Sequence, residues 1–423
     1  MAIAKERIVL FCDRALLVCV YLLMAWLPVS SGGVETCAWA GMFFWFMKKA
    51  WGYQDKDSWK KLFPRTVLNR TIVFLTIAKV LSTIYTVNSV LSVRGLLGKE
   101  LKFIAVYFMV VEVINSYKRL QRLLAIAIMM AAIMVADAGT QYFYGKDFLR
   151  GYEWSQLRAS FPSTNDFAGW LIMMIFLFSG VVLAKNMFNR KIKFFTGAVT
   201  LFLLSCLLIT FSRGGWIGLL FGGLIFLAVV MKHNRLRSKI ILVSVLISMV
   251  ACALILPQSV KTKVRVVGNI DFKAGHTITE RLKSMADIHY ASNVHRLKLW
   301  NQALWVIRDF PLTGSGLNTY SFFVKKYPSF EGGSMYPHNS FLQMTAETGF
   351  LGLIMFLWLL ISFLIAGFGH VSKKNSYLSL GMVSGIIAFL VQSFFDTNLY
   401  ALQLVVLFWY MLGLTIAVMR IEE

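Results

Sequence analysis

The chain has 423 residues, of which 58% are hydrophobic, and its formal net charge is +23 at pH 7. Because soluble domains are only about 45–50% apolar, this composition excludes an ordinary soluble protein, and the positive charge is no evidence for nucleic-acid binding. The five cysteines form no CxxC pair and lie mostly in apolar runs, so the sequence indicates neither a disulfide framework nor a zinc site.

Apolar runs of about 20 residues recur from end to end of the chain, and such a run spans a bilayer as one helix. These runs do not alternate between apolar and polar residues, as the strands of a membrane β-barrel do. The sequence therefore predicts an all-α integral membrane protein with about twelve transmembrane helices. The predicted spans are 14–30, 34–47, 71–91, 101–116, 123–144, 166–184, 195–211, 216–231, 240–257, 341–367, 378–395 and 401–418.

The charges of the short loops orient these spans. The short loops on one side are all basic, whereas those on the other side carry little charge, apart from the segments after spans three and five. Because lysine and arginine remain on the cytoplasmic side, this pattern predicts that both termini are cytoplasmic. The predicted organisation is one membrane domain, with spans 1–9 in residues 1–257, a large outer loop in 258–340 and spans 10–12 in 341–423.

The segment "LRGYEWSQLRASFPSTNDFAGWL" leads into the sixth span and supplies two polar candidates, Arg158 and Asn165. Arg158 could pair with a lipid phosphate, and Asn165 or Thr164 could cap the helix. Taken alone, each residue is better explained by structure than by function.

Arg213 lies in "TFSRGGWIGL", where only about four residues separate the seventh and eighth spans. The following Gly214 and Gly215 allow a tight turn and a close approach of the backbone to a ligand. Arginines at membrane boundaries usually extend to the headgroups, but the topology requires no positive charge on the outer side. Function is therefore favoured for Arg213.

The outer loop, residues 258–340, is basic, with eleven lysines and arginines against five acids. Anionic headgroups or an anionic substrate at the outer face would each explain the excess. Within the loop, Leu297, Trp300, Leu304 and Ile307 have helical spacing. The segment "PLTGSGLNTY" follows them, so we expect an amphipathic helix and then a turn, in a loop that is partly helical.

His338 begins the stretch "PHNSFLQMTAETGFLGL", where the outer loop meets the tenth span. Asn339, Gln343 and Glu347 are spaced i, i+4 and i+8, so they share one face of the predicted helix. His338 and Glu347 fall on opposite sides of a straight helix, which argues against a direct pair. His338 is expected to project from the entry turn, with Asn339 or Ser340 as the helix cap.

Asp396, at the outer end of the eleventh span, is close enough to the membrane surface to belong to the same site. Arginines bind phosphate oxygens with two hydrogen bonds, and a neutral histidine can take a proton from a sugar hydroxyl. Together they suit group transfer from a lipid pyrophosphate. The predicted outer loops have no DxD motif and the sequence has no HExxH motif, so we expect a metal-independent reaction that needs no cofactor.

Three motifs in this order resemble the O-antigen ligase family, within the superfamily of ligases and polymerases of bacterial surface polysaccharides. They are "FSRGGW" around Arg213, "HRLKLWNQALWVIRDFPLTGSGLNTY" around Arg296 and "PHNSFLQMTAETGFLGL" around His338. The resemblance extends over the whole chain, with one large periplasmic loop before span ten. The segment "RASFPSTNDFAGWL" is similar to the segment with an arginine and an asparagine that leads into a span in this family, but it lacks the usual glycine.

The resemblance implies a fold like that of the GT-C membrane glycosyltransferases, in the bacterial inner membrane. It also implies transfer of a polysaccharide from undecaprenyl pyrophosphate to a sugar hydroxyl of lipid A-core at the periplasmic face, most simply with inversion. His338 would be the general base, and Arg213 and Arg296 would hold the diphosphate. Further diphosphate candidates are Arg158, Arg265 and Arg281, and supporting candidates are Asn339, Gln343, Glu347, Asn165 and Asp396.

Three alternatives remain open on the sequence, one of which is a related transferase that O-glycosylates proteins. An O-antigen polymerase shares the donor, the topology and many motifs, and differs in its acceptor. A flippase for lipid-linked oligosaccharides is of a different class, and it usually carries internal repeats, of which the sequence shows none.

Overall fold

The computed structural model describes residues 2–52, 63–153, 156–185, 187–233, 291–327 and 336–423, and in these ranges the chain forms helices and no β-strand. The α-helices are α1 (Ala2–Trp26), α2 (Ser31–Gly52), α3 (Asn69–Ile84), α4 (Ser89–Gly95), α5 (Leu101–Val113), α6 (Tyr117–Tyr144), α7 (Thr164–Leu183), α8 (Arg190–Ile209), α9 (Arg213–His233), α10 (Ala291–Asp309), α11 (Tyr320–Phe323), α12 (Ser340–Lys374), α13 (Tyr377–Ser393) and α14 (Leu402–Glu422). A π-helical turn, Leu96–Glu100, joins α4 to α5.

Seven of the described helices, α1, α6, α7, α8, α9, α12 and α14, are long and apolar enough to cross a membrane. The expectation of an all-helical, multi-pass membrane protein is therefore confirmed. Helices α2, α3, α5 and α13 lie at other predicted spans without meeting both criteria. The predicted span 240–257 lies outside the described residues.

The predicted span 71–91 is not one helix. Helix α3 ends at Ile84, and α4 begins at Ser89 after a cap in which the side chain of Asn88 accepts from Leu91 N at 3.1 Å. The break is held from outside, because Val87 N donates to Ser315 O over 2.9 Å. Helical propensity therefore gives way here to a tertiary contact with the turn that follows α10.

Glycines bring α7, α9 and α13 into close contact. A Cβ atom at Gly218 of α9 would lie 2.5 Å from the carbonyl oxygen of Ala388 in α13, and one at Gly180 of α7 would lie 2.6 Å from the carbonyl oxygen of Tyr377. Small residues at such crossings let helix backbones approach, which drives helix association in membranes. We refer to the end of the bundle at which α7, α9 and α12 begin as the upper end.

Helix α12 is broken at Gly349, whose φ of 65° and ψ of −176° are not helical. The turn after α10, residues 311–316, fits into this break and replaces the hydrogen bonds that the helix loses. The bonds run from Phe350 N to Pro311 O (2.8 Å), from Leu351 N to Leu312 O (3.3 Å), from Ser315 N to Ala346 O (2.9 Å) and from Gly316 N to Glu347 O (3.0 Å). A discontinuous membrane helix needs such partners, because unpaired backbone groups are costly away from water.

Helix α10 and the turn after it confirm the predicted helix and turn of the outer loop, but only part of the predicted face. Leu297 and Leu304 are 49% and 53% exposed, whereas Ile307 is buried. The other buried apolar side chains described for α10 are Leu299, Ala303 and Val306. Both sets have helical spacing, so periodicity alone did not distinguish them.

Candidate active site

His338 lies at the upper end beside Asp396, and its Nδ1 is 3.0 Å from Asp396 Oδ1. The side chain of His338 is 34% exposed, whereas that of Asp396 is only 12% exposed. His338 has a left-handed backbone conformation, with a φ of 48°. The imidazole is thus both held by a buried carboxylate and open to a substrate.

The chain around His338 is anchored by the first turn of α12. Asn339 caps this helix, as predicted, because its side-chain oxygen accepts from Phe341 N and Leu342 N, both at 3.0 Å. Ser340 donates to the backbone oxygen of Asp396 through its amide at 3.0 Å and its hydroxyl at 2.9 Å. The two segments that carry the histidine and the aspartate are therefore joined by backbone hydrogen bonds as well.

The carboxylate of Asp396 is surrounded by donors and positive charge. Burial acts to raise its pKa, but the hydrogen bond and charge of His338 and the N–H of Thr397, at 2.8 Å, outweigh burial and lower it. The charge of Arg296 acts in the same direction. Asp396 is therefore ionised at neutral pH and accepts hydrogen bonds only.

Asn165, in the first turn of α7, contacts the same carboxylate. Its Nδ2 donates to Asp396 Oδ2, and its Oδ1 accepts from Ser212 Oγ at 2.8 Å. Neither Asn165 nor Thr164 caps α7, since Ser163 does so by accepting from Asp166 N at 3.0 Å. The predicted capping role is therefore wrong for Asn165, whose side chain points to Asp396.

Arg213 is the first residue of α9, and only 9% of it is exposed. Its helix begins against the Asp396 segment, because a Cβ atom at Gly214 would lie 3.3 Å from Phe395 Cβ. The N-terminus of a long helix attracts anions through its unpaired N–H groups and its dipole. An arginine at this position adds a full positive charge to that end.

Arg296 approaches the site from α10, and its charge acts on Asp396. One turn further along the same helix, the ring of Trp300 packs edge-to-face on that of Phe394, with 5.6 Å between their centroids. This contact fixes α10 against the segment that leads to Asp396. Arg213 and Arg296 therefore come from two separate elements, and both elements meet the segment that carries Asp396.

Glu347 does not contact His338 and serves another part of the structure. Its carboxylate oxygens accept from Asn318 N at 3.0 Å and from Tyr320 N at 3.3 Å, and Gln343 donates to it at 3.5 Å. Gln343 and Glu347 therefore share a helix face, as expected, but this face binds the turn after α10. The side chain of Glu347 anchors the residues that directly follow the turn in the break of α12.

We expect Glu347→Ala to lower the free energy of unfolding by about 1–3 kcal/mol, because two buried amides lose their acceptor. Glu347→Gln keeps one acceptor oxygen, so its free energy of unfolding is expected to lie between those of Glu347→Ala and wild type. Thermal unfolding of the purified variants measures the difference. Complete loss of transfer activity by both variants at unchanged thermal stability would contradict the anchoring role.

Arg158 has contacts within its own part of the chain. Its guanidinium stacks over the ring of Tyr152 at 4.4 Å and donates to Pro162 O over 3.0 Å. Its amide donates to Gln141 Oε1 at 3.0 Å. None of the described contacts of Arg158 joins it to His338 or Asp396, and the predicted Arg265 and Arg281 lie outside the described residues.

Sequence reasoning missed Ser212 as a member of this site. Its hydroxyl accepts from Gly215 N at 3.3 Å and so caps the helix that begins with Arg213. The signal was available, because Ser212 lies within "FSRGGW" and a serine directly before a helix is a common cap. Its contact with α7, in contrast, has no local signal.

Comparison with protein families adds one result. Residues 198–357 match the family described as O-antigen ligase. The match contains Arg213, Arg296, His338 and Glu347, and Asp396 lies beyond it. The comparison with curated proteins gave no match. The family predicted from the motifs is therefore confirmed over this part of the chain.

Proposed function

We propose that this chain, whose residues 198–357 match the O-antigen ligase family, transfers a polysaccharide from undecaprenyl pyrophosphate to a sugar hydroxyl of lipid A-core. The proposal includes a GT-C-like membrane domain of twelve spans in the bacterial inner membrane, with spans in 1–257 and 341–423. The upper end of the bundle and the loop 258–340 then face the periplasm, and both termini face the cytoplasm.

The observation that carries the proposal is the pairing of His338 with Asp396, in a segment that the elements of Arg213 and Arg296 both meet. Ionised Asp396 only accepts, so it holds the Nδ1–H tautomer of a neutral imidazole. The lone pair on Nε2 is then available to take a proton. A histidine oriented by a carboxylate in this way is a common general base.

The proposed reaction is a displacement at the anomeric carbon. The acceptor oxygen forms a bond to this carbon, its proton moves to Nε2 of His338, and the bond to the diphosphate oxygen breaks with its electron pair. Attack opposite the leaving group inverts the anomeric configuration. Arg213 and Arg296 support the step because their fixed charges neutralise the diphosphate as it leaves. Arg158, Arg265 and Arg281 remain candidates for further contacts to the donor.

We expect Arg213→Ala to lower kcat/KM for the lipid-linked donor by roughly 10²-fold, the scale seen when one partner of a buried charged contact is removed. Arg213→Lys should recover only part of this loss, because an ammonium cannot form the paired hydrogen bonds of a guanidinium. Steady-state kinetics with varied donor concentration measures both effects.

A matched control is Arg308→Ala. Arg308 lies at the end of α10, with its guanidinium 5.8 Å from the ring centroid of Trp305, so its loss removes one outer arginine without touching the site. Wild-type kinetics of Arg213→Lys would exclude a diphosphate contact by Arg213.

The function is tested in a strain that lacks this protein, by gel analysis of lipopolysaccharide alongside the pool of undecaprenyl-linked sugars. Full-length polymer retained on the carrier, with bare lipid A-core, is the expected result. A core that carries a single repeat unit would indicate a polymerase instead. Polymer precursors retained on the cytoplasmic side would indicate a flippase.

A further inference from the structure

Asn165 connects the helix start that carries Arg213 to the pair of Asp396 and His338 through consecutive hydrogen bonds. Ser212, directly before Arg213, donates from Oγ to Asn165 Oδ1 over 2.8 Å. Asn165 Nδ2 donates to Asp396 Oδ2, and the other oxygen of Asp396 lies 3.0 Å from His338 Nδ1. One side chain thus connects the start of α9 to the proposed base.

The direction of each of these hydrogen bonds is determined by the groups at the two ends. Ionised Asp396 only accepts, so Asn165 must present its Nδ2 to it. Asn165 Oδ1 then faces Ser212, whose single hydroxyl proton it accepts. Gly215 N, at 3.3 Å, donates to the same hydroxyl oxygen. Turning the amide over would place its oxygen against a carboxylate, so only one orientation of Asn165 satisfies every partner.

The surroundings argue against a purely local role for this side chain. Helix α7 has its own cap in Ser163, so the helix start does not need Asn165. The backbone of Asn165 is held separately, because Gln392, which is 1% exposed, donates from Nε2 to its carbonyl oxygen over 2.9 Å. The side chain of Asn165 is therefore left to connect α9 with Asp396.

We propose that Asn165 is a positioning residue, which holds Asp396 in the orientation that accepts Nδ1–H of His338 and couples this orientation to the helix start that carries Arg213. The inference rests on the proposed function, since it requires His338 to be the base. Its consequence is that the diphosphate-binding helix and the base are kept in one arrangement by a single amide.

The first test is the pH profile of kcat for Asn165→Asp, a variant of nearly the same shape, in purified full-length protein. At acid pH the introduced carboxyl group is protonated and can still donate to Asp396. As the pH rises it ionises beside a second carboxylate, and the repulsion displaces Asp396. We expect kcat to fall by roughly 10- to 100-fold towards alkaline pH, in a limb that wild type lacks.

A uniform loss of kcat at every pH, with the wild-type shape, would overturn the inference, because a structural defect has no titrating group. The matched control is Asn189→Asp, the same change at the cap of α8, at the opposite end of the bundle, where Asn189 Oδ1 accepts from Ile192 N at 2.9 Å. Its pH profile is expected to keep the wild-type shape. Thermal unfolding of each variant accounts for any change in the folded fraction.

The second test asks whether Ser212 and Asn165 act in series. Asn165→Ala is expected to lower kcat by roughly 10- to 100-fold with little change in KM for the donor. Ser212→Ala is expected to lower kcat by a smaller factor, and by less in the Asn165→Ala background than in wild type, because only its cap of α9 through Gly215 N is then left to lose. Additive losses of kcat would contradict this coupling.

The outcome for His338→Ala separates this inference from the function on which it depends. Retained activity of His338→Ala removes the proposed base, and with it the proposed mechanism. Loss of activity in His338→Ala, together with a wild-type pH profile of Asn165→Asp, removes only the positioning role of Asn165.

Discussion

His338→Ala is expected to lower kcat by about 10²- to 10⁴-fold, the usual contribution of a general base. The fold should tolerate the change, because the side chain is one-third exposed and its removal does not leave Asp396 without donors. Thr397 N and Asn165 Nδ2 still donate to this carboxylate. Transfer from the lipid-linked donor to lipid A-core, measured with purified protein, gives kcat, and thermal unfolding gives the stability.

The companion variant Asp396→Asn tests the orienting role of the carboxylate. An asparagine there has one oxygen and one NH₂ group, but both His338 Nδ1–H and Asn165 Nδ2 require an acceptor. Either one of the two contacts places two donors against each other, or the amide of Asn165 turns over and no longer accepts the hydrogen bond from Ser212. We expect kcat to fall by roughly 10²-fold or more, because the imidazole loses its orientation or takes the wrong tautomer.

The described residues offer a matched control in a second paired histidine, His370. Its Nε2 lies 2.8 Å from Glu422 Oε2, near the opposite end of α12 from His338. His370→Ala removes a similar histidine–carboxylate pair far from the proposed site, so activity per folded molecule should remain. Wild-type activity of His338→Ala, or equal losses in both variants, would contradict the proposed base.

Gly349→Ala is expected to give the largest loss of stability among the changes considered. The φ of 65° and ψ of −176° at Gly349 fall in a region that only glycine occupies readily. A Cβ atom would also overlap the carbonyl group of Leu312, which belongs to the backbone and cannot turn away. Relief would require the turn 311–316 to leave the break, with loss of the backbone hydrogen bonds that fill it.

Strain and lost hydrogen bonds together should lower the free energy of unfolding by about 4 kcal/mol or more, which is exceptional for one methyl group. The expected observations are poor yield of folded protein and a lower Tm. Gly369→Ala is the control, because it lies in the same helix and a Cβ there meets nothing within 4 Å. A Tm for Gly349→Ala equal to that of Gly369→Ala would show that the break tolerates a side chain.

The local features of the site followed from the sequence where neighbours along the chain determine them. The cap by Asn339, the shared face of Gln343 and Glu347, and the turn after α10 all depend on spacing within a few residues. The predicted side of α10 was wrong for Leu297 and Leu304 but right for Ile307, because two overlapping sets of apolar residues have helical spacing and only the neighbours decide which set is buried.

Glu347 shows that the energetic cost of an acidic residue in a membrane helix does not reveal what the residue does. An acid near the start of a span must find polar partners, and the sequence predicts only this requirement. The partners are the amides of Asn318 and Tyr320, from a turn about thirty residues earlier. Their approach depends on the break at Gly349, which no helical pattern reveals.

The sequence by itself determined that this is a multi-pass helical membrane protein, because apolar runs of bilayer length have no other stable arrangement in lipid. Three motifs also predicted the O-antigen ligase family, which residues 198–357 match. Only the tertiary structure decided that His338 pairs with Asp396, 58 positions later, and that Asn165 connects that pair to Ser212. Periodicity reports which side of one helix is buried, whereas these contacts depend on how glycine-lined helices bring separate loops together at one end of the bundle.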